Sequence, residues 1–172
     1  QTKHIGKVVL SLNEVSAPGI KPEASYLVTG GLGGLGIMVA RYLADQGARY
    51  LVLTGRGGAR TDEAKTLVAD LTAQGITVEV VKGDVADAED VERMIAAANG
   101  QAPLAGVIHA AGLVDDAALM QQTPEHFARV MAPKVQGVWH LHQQTRQMPL
   151  DYFIGFSSIA SLMGSPGQTN YA

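Results

Sequence analysis

Apolar residues recur along this chain in two rhythms. Short runs with the length of buried strands fall at Tyr26 to Val28, Tyr50 to Thr54, Thr77 to Val81, Gly106 to Ile108 and Asp151 to Phe156. Between them the period lengthens to that of a helix. Leu35, Met38, Val39, Tyr42 and Leu43 share one predicted face, as do Ala64, Leu67, Val68 and Leu71, and then Val91, Met94, Ile95 and Ala98. The boundaries carry their own chemistry. Thr61 and Asp87 suit helix N-caps, Gly75 a helix stop, and Asn99-Gly100 with Pro103 the end of the third helix. Thr123-Pro124-Glu125 opens a further helix that runs towards Gln143, with Pro133 interrupting or kinking it. Trp139, on that helix, reads as core. Five strands alternate with helices, and no hairpin signal occurs. The expected fold is therefore α/β: a Rossmann-type, doubly wound parallel sheet with helices on both faces and right-handed crossovers.

The first strand ends in Thr29-Gly30-Gly31-Leu32-Gly33-Gly34-Leu35-Gly36, and a helix begins at once behind it. Glycines there permit positive φ and let backbone N–H groups approach a pyrophosphate at the helix N-terminus. The alternative is a tight turn with no ligand. Upstream, His4 to Leu10 reads as a strand and Ser11 to Pro22 as a linker, so residues 1–22 are set apart from a nucleotide-binding domain over 23–172.

Composition narrows the classes. The chain has 172 residues, 47% of them hydrophobic and 17% charged, with a net charge of −3, which suits one globular domain and no basic nucleic-acid surface. Without cysteine there is no disulfide, thiolate nucleophile or thiolate metal site. His140 and His142 stand about 200° apart on a helix and do not converge on a metal. No apolar run reaches the ~20 residues of a membrane span, and no signal peptide is evident, so a cytoplasmic protein is expected. Beginning at Gln1 rather than Met, the chain reads as part of something longer, with its C-terminal portion missing.

The second strand leads into Gly55-Arg56-Gly57-Gly58, and Arg56 stands where an NAD site would carry an acid for the ribose hydroxyl. A guanidinium can instead pair with a 2′-phosphate, which favours NADPH; a solvated surface arginine is the plainer alternative. Asp84, after the third strand, suits a turn as well as a ligand. His109, at the end of the fourth, is by type alone a hydrogen-bonded core histidine. Ser158 and Tyr171, 13 residues apart, would both reach the carboxyl edge of the sheet.

Together these pieces resemble the short-chain dehydrogenase/reductase family, whose fingerprint is Thr-Gly-x-x-x-Gly-x-Gly, and within it the ketoreductase domains of modular polyketide synthases. The resemblance runs from about Ile20 to Ala172. It implies a cofactor site at residues 29 to 36, Arg56, Asp84-Val85 beside the adenine, and His109-Ala110-Ala111-Gly112 under the nicotinamide ribose. It implies Ser158 and Tyr171 as catalytic residues, with Lys134 on the preceding helix as the cation beside them and against the nicotinamide ribose. The lysine that most short-chain reductases carry four residues after the tyrosine would lie beyond Ala172. The implied reaction is NADPH-dependent reduction of a β-ketoacyl thioester on an acyl carrier protein, amid neighbouring synthase domains. Val114-Asp115-Asp116 resembles the Leu-Asp-Asp motif of B-type domains, and Met163 stands where A-type domains carry tryptophan. Asp116, Met163 and Gln168 are thus the implied stereocontrol residues, although Asp116 would also suit a turn with Asp115. Residues 1–10 resemble the end of an enoylreductase domain. A non-catalytic module of a synthase, the ketoreductase of an animal-type fatty acid synthase and a sugar-nucleotide epimerase are the rival readings.

Overall fold

The computed structural model describes residues 18–171. The strand expected at His4 to Leu10 lies outside them. Five strands, β1 (Ser25–Thr29), β2 (Tyr50–Gly55), β3 (Thr77–Lys82), β4 (Leu104–His109) and β5 (Tyr152–Gly155), form one sheet in the order β3-β2-β1-β4-β5. Every neighbouring pair is parallel. Helices α1 (Gly34–Asp45), α2 (Asp62–Ala73) and α3 (Ala88–Gln101) make the first crossovers. Between β4 and β5 the chain runs through α4 (Pro124–Met131), a π-helical turn (Ala132–Gln136) and α5 (Gly137–Thr145). A short helix α6 (Ala160–Met163) follows β5.

Alternate strand residues face opposite ways, and the core divides accordingly. Tyr26 and Val28 of β1 pack with Ala40, Leu43, Leu67 and Leu71 of α1 and α2. Leu27, between them, packs with Val91, Met94 and Ile95 of α3 and Leu141 of α5. All five residues of β1 are buried, so this strand carries both layers at once. Thr61 caps α2 by accepting from the Ala64 N–H (3.2 Å), and the Asp87 carboxylate accepts from the first turn of α3.

Three expectations need correction. On α1 the buried positions are Gly36, Ala40, Leu43 and Ala44, whereas Leu35, Met38 and Tyr42 are exposed. The small residues win the core face because they let the helix lie close to the sheet. Trp139 is 56% exposed, beside half-exposed Val135 and exposed Phe153, and is not core. Asn99-Gly100 does not end α3, which runs on to Gln101; the Asn99 side chain caps the turn beyond it by accepting from the Leu104 N–H. Pro133 does interrupt the α-helix, as expected, between Met131 and Gly137. The chain absorbs it in the π turn, where the Gly137 N–H reaches back to the Ala132 carbonyl.

Candidate functional site

The strand order reverses between β1 and β4, and open parallel sheets bind ligands at the carboxyl ends beside such a switch. A cleft of about 650 Å³ lies there, lined by Gly30, Leu32 to Gly36, Arg56, Asp84, Val85 and Ala110 to Gly112, among others. Most of the residues expected to hold a cofactor therefore share one cleft.

The glycines divide the work. Gly30 has φ of +68°, and a Cβ on it would stand 2.7 Å from the Ala111 nitrogen, so only glycine lets the two loops meet. A Cβ on Gly36 would fall 2.1 Å from the Gly30 carbonyl oxygen, which fixes α1 against the loop. Gly34, by contrast, faces open space. At this end α1 has neither a side-chain cap nor an acid in its first turn. Its first N–H groups thus form a positive cradle with room for a phosphate. Arg56 is exposed at the cleft, and none of the ion pairs among the described residues uses it. Uncapped dipole, open glycine and free guanidinium together fit a dinucleotide with an extra phosphate.

Two fingerprint residues look inward instead. Gly31 is buried against Leu53. Thr29 is fully buried, its hydroxyl 2.6 Å from His109 Nδ1. His109 is likewise buried, the core histidine that its residue type suggested, with Nε2 2.9 Å from the Pro133 carbonyl. Burial holds its pKa below the usual imidazole range, helped by the nearby Lys134 charge and opposed by the bond to Pro133. Asp84 is a turn former as well as a cleft residue: its carboxylate accepts from the Ala86 N–H at 3.0 Å.

A second hollow, about 270 Å³, adjoins the first and is lined by His109, Lys134, Gly155 to Ser158, Ser161 and Tyr171, with Val138 at its wall. Lys134, Ser158 and Tyr171 come from the π turn, the loop after β5 and the final loop, yet they meet here. Lys134 Nζ donates to the Phe156 carbonyl (3.4 Å) and stands 5.1 Å from the centre of the Tyr171 ring. A Cβ on Gly112 would lie 3.6 Å from that Nζ, so the ammonium sits at the seam between cleft and hollow. Ser158 Oγ accepts from the Ala160 N–H (3.1 Å), leaving its own proton available.

The three residues expected to control stereochemistry are not together. Gln168 donates to both Asp116 oxygens at 3.2 Å, closing the 113–117 loop over the segment before Tyr171. Met163 is 80% exposed and lies in neither hollow. Sequence reasoning missed two members of this clasp. Buried Asn170 donates to the Asp115 carbonyl (2.9 Å), and Arg129 Nε donates to the Asp115 carboxylate (2.8 Å) at the rim of the cleft. Only the partners of these residues mark them, and no spacing rule links positions 115, 129 and 170. Among the described residues no cluster of metal-ligating side chains occurs, and no helix is long and apolar enough to cross a membrane.

A family model described as KR domain matches residues 24–172. A phenolphthiocerol synthesis polyketide synthase type I of Mycobacterium marinum is 45% identical over all of this chain, which spans 8% of that protein. The mycoketide-CoA synthase of Mycobacterium tuberculosis is 44% identical, again over all of this chain but 4% of its own length. A solved structure of A-type ketoreductases from a modular polyketide synthase superposes with a TM-score of 0.83 at 42% identity, covering 91% of this chain and 34% of that one.

Proposed function

The chain belongs to the KR domain family, the ketoreductase domains of polyketide synthases, and from that premise we propose that it reduces a β-ketoacyl thioester, borne by an acyl carrier protein, to the β-hydroxyacyl thioester with NADPH. What supports this reading most is the meeting of Lys134, Ser158 and Tyr171 around one hollow beside the nucleotide cleft.

NADPH, bound in the larger cleft, supplies the hydride. The chain's residues supply the rest. The N-terminal N–H groups of α1 and the open face of Gly34 would hold the pyrophosphate, and Arg56 would pair with the 2′-phosphate. Ser158 Oγ, its lone pair engaged by the Ala160 N–H, donates a hydrogen bond to the ketone oxygen and orients it, keeping its own proton. Tyr171 holds the proton that this oxygen takes up. The Lys134 ammonium stabilises the negative charge left on the phenol oxygen as that proton leaves. It also faces the seam where the nicotinamide ribose would lie, with Ala110 to Gly112 beneath. These contacts strengthen as charge develops, so they favour the transition state over the bound ketone.

Residues 1–22 are proposed as a linker ahead of the catalytic domain, and neighbouring synthase domains as its partners. We assign the B-type sense, a D-configured hydroxyl, although the superposed structure is of A-type. Val114-Asp115-Asp116 is tied down through Asp116 to Gln168, and Met163 offers no indole. Entry of the acyl chain from the opposite side presents the other carbonyl face to a fixed hydride position. The intact reductase, given a carrier-bound β-ketoacyl substrate, should release a D-hydroxy acid on chiral chromatography. Tyr171→Phe should abolish turnover while retaining NADPH binding. A predominantly L product overturns the B-type assignment alone, and near-normal turnover by Tyr171→Phe overturns the mechanism.

A further inference from the structure

The π turn that presents Lys134 is bonded from below by a buried side chain, that of His109. We propose that His109 is a positioning residue: by bonding Thr29 through Nδ1 and the Pro133 carbonyl through Nε2, it ties the π turn to the sheet and so keeps Lys134 over Tyr171. The role of Lys134 in turnover rests on the reductase reading; the tie itself does not.

The bonding pattern fixes the tautomer. A carbonyl oxygen only accepts, so Nε2 must carry the hydrogen that meets Pro133 at 2.9 Å. Nδ1 is then an acceptor, and the Thr29 hydroxyl donates to it at 2.6 Å. Thr29 ends β1 and His109 ends β4, and the two are register partners in the sheet. The anchor is therefore a pair of hydrogen-bonded neighbouring strands. The other end is the carbonyl of a residue inside a π turn, adjacent in sequence to Lys134. Close approach is built in. A Cβ on Gly137, the residue after the turn, would stand 2.8 Å from Val85 Cγ2 and 3.4 Å from His109 Cε1. A side chain there would press first on Val85, which the glycine avoids.

Neutrality matters to the tie. An imidazolium has two N–H donors and no acceptor, so a proton on Nδ1 would meet the Thr29 hydroxyl proton and force that hydroxyl to turn. Desolvation by the surrounding strands and the positive charge of Lys134 both oppose that proton.

Two conservative substitutions separate the two bonds. In His109→Gln the terminal amide can still donate to Pro133, while the Thr29 acceptor is lost. In His109→Asn the shorter amide can still accept from Thr29 but cannot reach Pro133. The experiment uses the intact reductase carrying this chain. Nitrogen-15 spectra of the histidine ring in the unsubstituted protein should show the Nε2–H tautomer for His109. In protein labelled at lysine Cε, the Lys134 resonance should carry the upfield shift of an atom over an aromatic ring. His109→Gln should keep that shift, and His109→Asn should lose it. With a β-keto thioester, His109→Asn should lower kcat by about 100-fold, with NADPH affinity within about threefold, and His109→Gln should restore most of the rate. An Nδ1–H tautomer overturns the proposal in the unsubstituted protein, whether or not a variant folds. So does a Lys134 resonance unmoved in His109→Asn. If the resonances behave as expected and no variant, nor the parent, reduces the thioester, the tie stands and the reductase reading falls.

Discussion

Side by side, Arg56 and His109 mark what a single residue can and cannot announce. Arg56 was singled out by its place alone: it follows β2 directly, where an acid would repel a 2′-phosphate, and it lines the cleft with no ion pair among the described residues. Arg56→Ala should weaken NADPH binding by about 1.5–3 kcal/mol, nearer the lower figure because the side chain is exposed. NADH binding should hardly change, and fluorescence titration of both cofactors checks this. Equal losses would remove the assignment. His109 was legible only as a core histidine. Its two partners lie 80 and 24 residues away in the chain, and no local pattern encodes a hydroxyl and a carbonyl that converge on one ring. Lys134 falls between these cases. A lysine on a helix is ordinarily a solvated residue, and resemblance rather than spacing singled it out.

Among the elements, strands and helix caps were legible because their signals are local. Thr61, Asp87 and Thr123 open helices where their chemistry says they should. The face of α1 was misread because apolar side chains were counted while the glycine and alanines of the true face were not. Close packing, not hydrophobicity, decides that face, and this sets up a contrast within one loop. Gly36→Ala would drive a Cβ to within 2.1 Å of a backbone oxygen that cannot swing away. It should cost roughly 1–3 kcal/mol of stability, in the range of overpacked sites, and displace the phosphate cradle with it. Gly34→Ala meets no atom within 4 Å and sits in the first turn of a helix. Its Tm should hold or rise, while NADPH affinity falls because the new methyl group occupies the phosphate's approach. Thermal denaturation and cofactor titration of the two variants test the pair; loss of stability in Gly34→Ala would contradict the open face.

Across the whole molecule the buried imidazole makes stability depend on pH. The folded state holds His109 below its ordinary pKa, chiefly by burial, so the unfolded chain binds the proton more readily. This contribution is complete above about pH 6.5 and is lost as pH falls from there through the folded value. Denaturation midpoints measured from pH 7.5 to 5 should therefore decline, and His109→Gln should flatten that decline; equal slopes in the two proteins would refute it. The same central strands also govern when the molecule can form. Because β1 sits between β2 and β4, its first neighbour follows closely in the chain, but its second ends 80 residues after Thr29. At ribosomal speeds of about 5–20 residues per second, roughly 4–16 s separate the synthesis of Thr29 from that of His109. For that interval Leu27 and Val28, which end with no exposure at all, have only half their eventual surroundings. A nascent β1–β2 pair with an open apolar flank is thus the species that chaperones or a premature partner would meet first.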